Sequence, residues 1–159
     1  MYRPEDLRRY FAGEWHFERA LADLAAGLRG TMAGRADFTP DGAGLHYHES
    51  GEVRLGAYRG LAGRSYRYEF PGPQCAVVRF ADGRLFCRFE LSRGRCRVRH
   101  RCGADLYEGI ILVRACSQWQ TLWRVRGPNK CQLIRTRYRR EESAALGGGA
   151  AGLRFPSFG

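Results

Sequence analysis

The sequence predicts an all-β protein, a single up-and-down antiparallel barrel of about eight to ten strands preceded by a short N-terminal helix. Three observations carry that expectation. Strict two-residue alternation recurs along the chain, most clearly where Arg95, Arg97, Arg99 and Arg101 interleave with Cys96, Val98, His100 and Cys102. Only a strand with one wet and one buried face explains that period. Tight-turn pairs such as Asp82-Gly83 and Gly103-Ala104 separate the runs, and no segment reads as a convincing crossover helix, so neighbours in sequence become neighbours in the sheet.

Composition bounds the rest. At 159 residues, 44% hydrophobic and 13% aromatic, the chain is long enough for one domain with a real core. The barrel is expected over residues 1–142, and residues 143–159 read as an Ala/Gly-rich mobile C-terminal tail. A formal net charge of +11 points toward a polyanion. Yet Lys130 is the only lysine, such arginine bias also arises from genome composition, and the arginines fall largely on outward strand positions. A nucleic acid or an acidic surface is therefore weighed as a partner and not favoured. No segment reaches the length of a membrane span. The start, MYRPEDLRRYF, lacks the apolar run of a secretory signal, which places the protein inside the cell, in the cytoplasm, with reduced thiols. The six cysteines, at 75, 87, 96, 102, 116 and 131, show neither CxxC nor zinc-ribbon spacing.

In chain order, Pro4 to Phe11 reads as the helix, with Glu5 and Asp6 in its first turn and Leu7, Tyr10 and Phe11 on one side. Trp15, Phe17 and Arg19 then alternate, and a second run spans Gly30 to Phe38. Ala20 to Leu28 is open between a helical turn and a ragged strand. Thr39-Pro40-Asp41-Gly42 is a turn, and Leu45–Glu49 with Glu52–Leu55 form a hairpin closing at Ser50-Gly51. Whether Tyr47 and Glu49 or His46 and His48 face inward is left open. Arg64, Tyr66, Tyr68 and Phe70 share a face before the break at Pro71-Gly72-Pro73. The hairpin turning at Asp82-Gly83 puts Ala76, Val78, Phe80, Leu85, Cys87 and Phe89 inside. After the central hairpin, a turn at Gly127-Pro128 pairs Trp123 with Ile134 and Trp119 with Tyr138.

The central hairpin supplies the predicted site. Gly103-Ala104 fits a type II′ loop, which sets Cys102 opposite Asp105 and His100 opposite Tyr107 on the inward face, while Arg99 and Glu108 pair outside. Leu106, Ile110 and Leu112 then point outward although apolar, and a homodimer through this strand would cover them.

Gly13-x-Trp15 near the first strand, with an Arg-rich last strand from Arg135 to Arg140, resembles the calycin pattern of lipocalins and fatty-acid-binding proteins. That resemblance implies that a late arginine, Arg137 or Arg139, packs over Trp15. The wider set Gly13-x-Trp15, Arg19, Tyr47-x-Glu49-x-Gly51, Arg64-x-Tyr66, His100-x-Cys102-x-x-Asp105-x-Tyr107, Trp119, Trp123, Val125-x-Gly127-Pro128-x-Lys130 and Tyr138-x-Arg140 resembles a domain family of unknown function. The match spans roughly residues 10 to 140 and implies no activity.

The functional reading is a small-ligand-binding barrel. His100, Cys102, Asp105 and Tyr107 line its cavity with Trp119, Trp123, Arg64, Tyr66 and Tyr68, and the ligand is planar or amphipathic. Gly13, Trp15, Arg137, Gly103, Gly127 and Pro128 are assigned to structure. The same polar cluster also reads as a hydrogen-bond network that pins the hairpin. A His100-activated Cys102 nucleophile, a metal held by His100, Cys102 and Asp105 with His46 or His48, and a haem bound through His100 or His48 are the remaining alternatives. The sequence identifies no cofactor, and the enzyme reading ranks below simple binding. Lys130 suits a solvated loop or a rim contact to an acid.

Overall fold

The computed structural model describes residues 1–141, so the predicted tail lies outside the described residues. After a helix α1 (Leu7–Phe11) come ten strands: β1 (Gly13–Asp23), β2 (Leu28–Asp41), β3 (Gly44–Leu55), β4 (Tyr58–Gly72), β5 (Cys75–Phe80), β6 (Leu85–Glu90), β7 (Arg95–Cys102), β8 (Asp105–Ala115), β9 (Gln118–Gly127) and β10 (Lys130–Arg139). Their order in the sheet is β6-β5-β4-β3-β2-β1-β10-β9-β8-β7, so sequential strands are neighbours and β1 meets β10. The result is a nearly closed, up-and-down antiparallel barrel. No hydrogen-bonded ladder joins β6 to β7. There the wall is completed by side chains, with the rings of Phe86 and Phe80 lying 5.3 and 5.6 Å from the His100 imidazole.

Inward residues build one core. Trp15, Phe17, Phe38, Tyr47, Val113, Trp119 and Tyr138 are buried, and Trp119 stacks on its register partner Tyr138 at 3.8 Å with nearly parallel rings. Helix α1 plugs one end. Asp6 caps it by accepting the Arg9 N–H at 2.9 Å, and Phe11 packs its ring against Phe38, Tyr68, Phe89 and Trp119. The Trp15 indole N–H donates to the Phe11 carbonyl at 2.8 Å, tying plug to wall.

Four local expectations need correction. The arginine over Trp15 is Arg140, with its guanidinium carbon 4.1 Å from a ring centroid and its nitrogens donating to the Ala12 and Cys116 carbonyls. Arg137 and Arg139 lie on the opposite, exposed parity of β10. Ser50-Gly51 is no turn: β3 runs unbroken to Leu55, and the reversal falls at Gly56-Ala57. Gly51 serves close approach instead, because it faces Gly34 across the ladder, and a Cβ on Gly34 would collide with the Ser50 carbonyl and the Gly51 Cα. A bulge after Val78 shifts the β5–β6 register, which turns Leu85 out to 51% exposure and brings Phe86 inside. The Thr39–Gly42 turn starts later than expected, since β2 includes Thr39, Pro40 and Asp41 and only Gly42-Ala43 reverses the chain. The open segment Ala20–Leu28 resolves as strand to Asp23, a turn, and strand again from Leu28.

The plug and the Arg140 clamp carry a stability expectation. Arg140→Ala removes a cation–π contact and two hydrogen bonds, and should cost about 1–3 kcal/mol in denaturant unfolding followed by tryptophan fluorescence. Arg137→Ala should fall within about 0.5 kcal/mol of the parent. Equal losses at the two positions would contradict the assignment.

Candidate functional site

Alternation decides what enters the barrel. Arg19 follows Trp15 and Phe17 on β1, Tyr47 and Glu49 share the inward parity of β3, and Arg64 and Tyr66 face them from β4. Glu49 is 1% exposed, a burial that a carboxylate tolerates only when it is paired and hydrogen-bonded. Arg19 supplies a two-pronged pair to it, Nη1 to Oε1 at 2.7 Å and Nη2 to Oε2 at 2.9 Å. Arg64 adds an ion pair, its Nε 2.7 Å from Oε1. The Tyr47 hydroxyl donates to Oε2 and lies 3.2 Å from the Tyr138 hydroxyl. Arg19 Nε donates to the Thr136 hydroxyl at 2.9 Å, so the network joins β1, β3, β4 and β10.

The electrostatics follow. Burial would raise the Glu49 pKa, but the hydrogen bond from Arg19 and the positive charge of Arg64 hold it below the usual carboxyl range. Burial, with Tyr138 and Glu49 close by, pushes the Tyr47 hydroxyl well above its ordinary value, so it stays a donor. Two guanidiniums share one carboxylate, which leaves this layer with one excess positive charge. The terminal nitrogens of Arg64 make no hydrogen bond among the described residues, and its guanidinium sits 5.3 Å over the Tyr66 ring.

This layer lines a cavity of about 490 Å³, within the range of small-molecule sites. Its wall is aromatic: Tyr66 and Phe86 stack at 5.5 Å, with Phe80, Trp123 and His100 alongside. Helix α1 seals one end, and the loops after β1, β3, β5, β7 and β9 ring the other. Trp119 also borders the cavity, and its buried indole nitrogen has no hydrogen-bond partner among the described residues.

The central hairpin has the expected register, with Cys102 opposite Asp105 and His100 opposite Tyr107. Gly103 has φ +58° and the following alanine does not have positive φ, as a type II′ loop requires. The four side chains do not form one polar cluster. His100 packs edge-on to Phe80 and Phe86, and burial with the nearby Arg84 charge lowers its pKa, which leaves a neutral imidazole at pH 7. Cys102 is exposed at the rim, and no hydrogen bond joins it to His100. Asp105 pairs outward with Lys130 at 3.3 Å, a rim contact that replaces the solvated loop expected of Lys130. His48 bonds the Ser65 hydroxyl on the outer wall, and His46 shares its outward parity. Among the described residues no three of His, Cys, Asp and Glu converge as a metal would need.

Of the predicted lining, Arg64, Tyr66, Tyr68, His100, Cys102, Tyr107, Trp119 and Trp123 border the cavity, whereas Asp105 does not. Gly127 closes against Asp105, where a Cβ would strike its carboxylate. Arg19, Tyr47, Glu49, Thr136 and Tyr138 were not among the predicted site residues. Apart from Thr136, all of these stand in the motif set quoted above, and the inward parity of Trp15 and Phe17 carries Arg19 with it.

Solved structures share this architecture. An S-type phycobiliprotein lyase, CPES, from Guillardia theta superposes with a TM-score of 0.62 at 9% identity, covering 86% of this chain and 92% of that one. A DUF3598 protein of unknown function from Nostoc punctiforme PCC 73102 gives a TM-score of 0.60 at 12% identity over 87% of this chain, which spans 51% of that one. At these identities the likeness is one of fold. No curated protein matches the sequence. Residues 11–140, which span the barrel and the Arg19–Glu49–Arg64 layer, match DUF6314, a family of unknown function, and the chain belongs to that family.

Proposed function

We propose that the barrel binds a small, planar or amphipathic molecule bearing one acidic group, with that group in the cavity against Arg64. The observation that carries this reading is a single excess positive charge on Arg64, whose half-exposed side chain borders a cavity walled mainly by aromatic rings. Arg64 is already oriented by Glu49 and Tyr66, so a carboxylate or sulfonate would meet preorganised donors at little conformational cost. The rings of Tyr66, Phe80, Phe86 and Trp123 would hold the flat or aliphatic body. Arg19, Glu49, Tyr47, Tyr138 and Thr136 satisfy one another and serve as the frame that fixes Arg64.

A matched pair of dyes tests the reading. The anion 8-anilinonaphthalene-1-sulfonate should bind, and its neutral counterpart N-phenyl-1-naphthylamine should bind about tenfold more weakly, the worth of one charge-assisted hydrogen bond. In Arg64→Gln the preference should vanish while the near-ultraviolet circular dichroism of the folded variant matches the parent. Equal affinity for both dyes in the parent would remove the anion anchor, and exclusion of both would remove the cavity reading altogether.

Glu49→Gln should behave differently, because it strands Arg19 in the wall. A loss of about 3–5 kcal/mol in unfolding free energy is expected. Glu49 titrates below its unfolded value near 4.5, so its contribution is complete above that pH and is lost as pH falls through the folded value. Acid unfolding of the parent should therefore steepen below about pH 4.5, and the variant should lack that part of the curve.

A further inference from the structure

The net charge of +11 is not spread over the barrel. Along β1–β6 and their turns most outward arginines have an acid, Arg35 with Glu14 and Asp37, Arg54 with Glu52, Arg67 and Arg79 with Glu69, and Arg84 with Asp82, whereas Arg29, Arg59 and Arg88 have none among the described residues. On β7 every outward residue is arginine, at 95, 97, 99 and 101. β10 adds Arg135, Arg137 and Arg139, β9 adds Arg124 and Arg126, and β8 adds Arg114. Of the two acids on these four strands, Asp105 pairs with Lys130 at the rim and Glu108 holds Arg99 and Arg126. The other eight arginines have no acidic partner among the described residues. Residues 142–159 bring a single acid, Glu142, and a single arginine, Arg154.

The same face carries aliphatic side chains. Ile110, Leu122 and Leu133 line a groove of about 990 Å³ whose flanks include Arg97, Arg124 and Arg135, and which continues onto β1 and β2 at Ala20, Ala22 and Arg29. From this juxtaposition we infer that the outer wall of β7–β10 is a docking groove for an acidic polypeptide segment with aliphatic side chains of its own. Guanidiniums receive carboxylates two-pronged, and an aliphatic floor inside a charged rim is the anatomy of a protein interface. Other occupants fit less well. A second copy would set arginine against arginine. The aromatic residue that borders the groove, Trp123, turns its ring inward against Phe86, so unpaired bases find no outward ring to stack on, a phosphate backbone leaves the aliphatic floor unused, and a flat bilayer cannot reach into a groove.

The test compares two charge reversals of equal size. Arg97→Glu with Arg124→Glu removes the groove's flanks, while Arg59→Glu with Arg88→Glu removes two exposed, unpaired arginines from the opposite wall. The probe is a fluorescein-labelled peptide of about sixteen residues, with Glu and Leu alternating at helical spacing, read by anisotropy beside polyglutamate of equal length and a duplex RNA. Binding should weaken by about tenfold or more in the groove variant and hold in the control. Leu122→Ser should lower peptide affinity and leave polyglutamate unaffected. Indistinguishable losses in the two double variants would reduce the effect to bulk charge and overturn the proposal. Tighter binding of the RNA with no response to Leu122→Ser would overturn it in favour of a nucleic-acid surface. All these positions point outward, and near-ultraviolet circular dichroism verifies that each variant keeps the parent interior.

Discussion

A carboxylate that almost no solvent reaches sits at the centre of this barrel, and the interior is arranged around it. Glu49 draws Arg19 from β1 and Arg64 from β4 and accepts from Tyr47, while Thr136 and Tyr138 on β10 complete the network. The gain is in specificity as much as energy, since a buried ion pair repays its desolvation only in near-ideal geometry. Strands distant in sequence are thereby locked at one level of the barrel. The apolar layers below and the aromatic wall above take their positions from that level.

Two ends with different chemistry follow from it. At the plugged end, Phe11, Trp15, Phe38 and Trp119 fill the space with rings, and Arg140 clamps Trp15. At the other, the hairpin loops leave room, and polar groups such as Cys102, Tyr107 and the Asp105–Lys130 pair gather at the rim.

Much of this was legible in the sequence where two-residue alternation is unbroken. The parity of β7 to β10, the type II′ loop at Gly103 and the Trp119–Tyr138 pairing all follow from local rules. The same parity places Arg140 beside Tyr138 on the inside, so the arginine over Trp15 was within reach of the pattern even though Arg137 was preferred. What local rules miss is continuity and register across long ladders. Ser50-Gly51 looks like a turn because the pair suits one, yet the glycine is there so that β2 and β3 can touch, and with the turn misplaced the face of Glu49 stayed undecided. The bulge after Val78 exchanges Leu85 for Phe86, a one-residue effect that alternation alone does not register. The His100–Asp105 cluster failed for another reason: Lys130 arrives from a loop far along the chain and claims the aspartate.

The unladdered junction of β6 and β7 leaves two strand margins with main-chain amides and carbonyls that no neighbouring strand takes up. Such margins invite foreign strands and seed fibrils. Here the first is a six-residue strand next to the bulge, and the second carries a guanidinium at every outward position. An incoming chain would meet a short, twisted template on one side and a dense cationic fringe on the other. A barrel that stops just short of full circular pairing is thus shielded from templated aggregation by the shape and charge of its own borders.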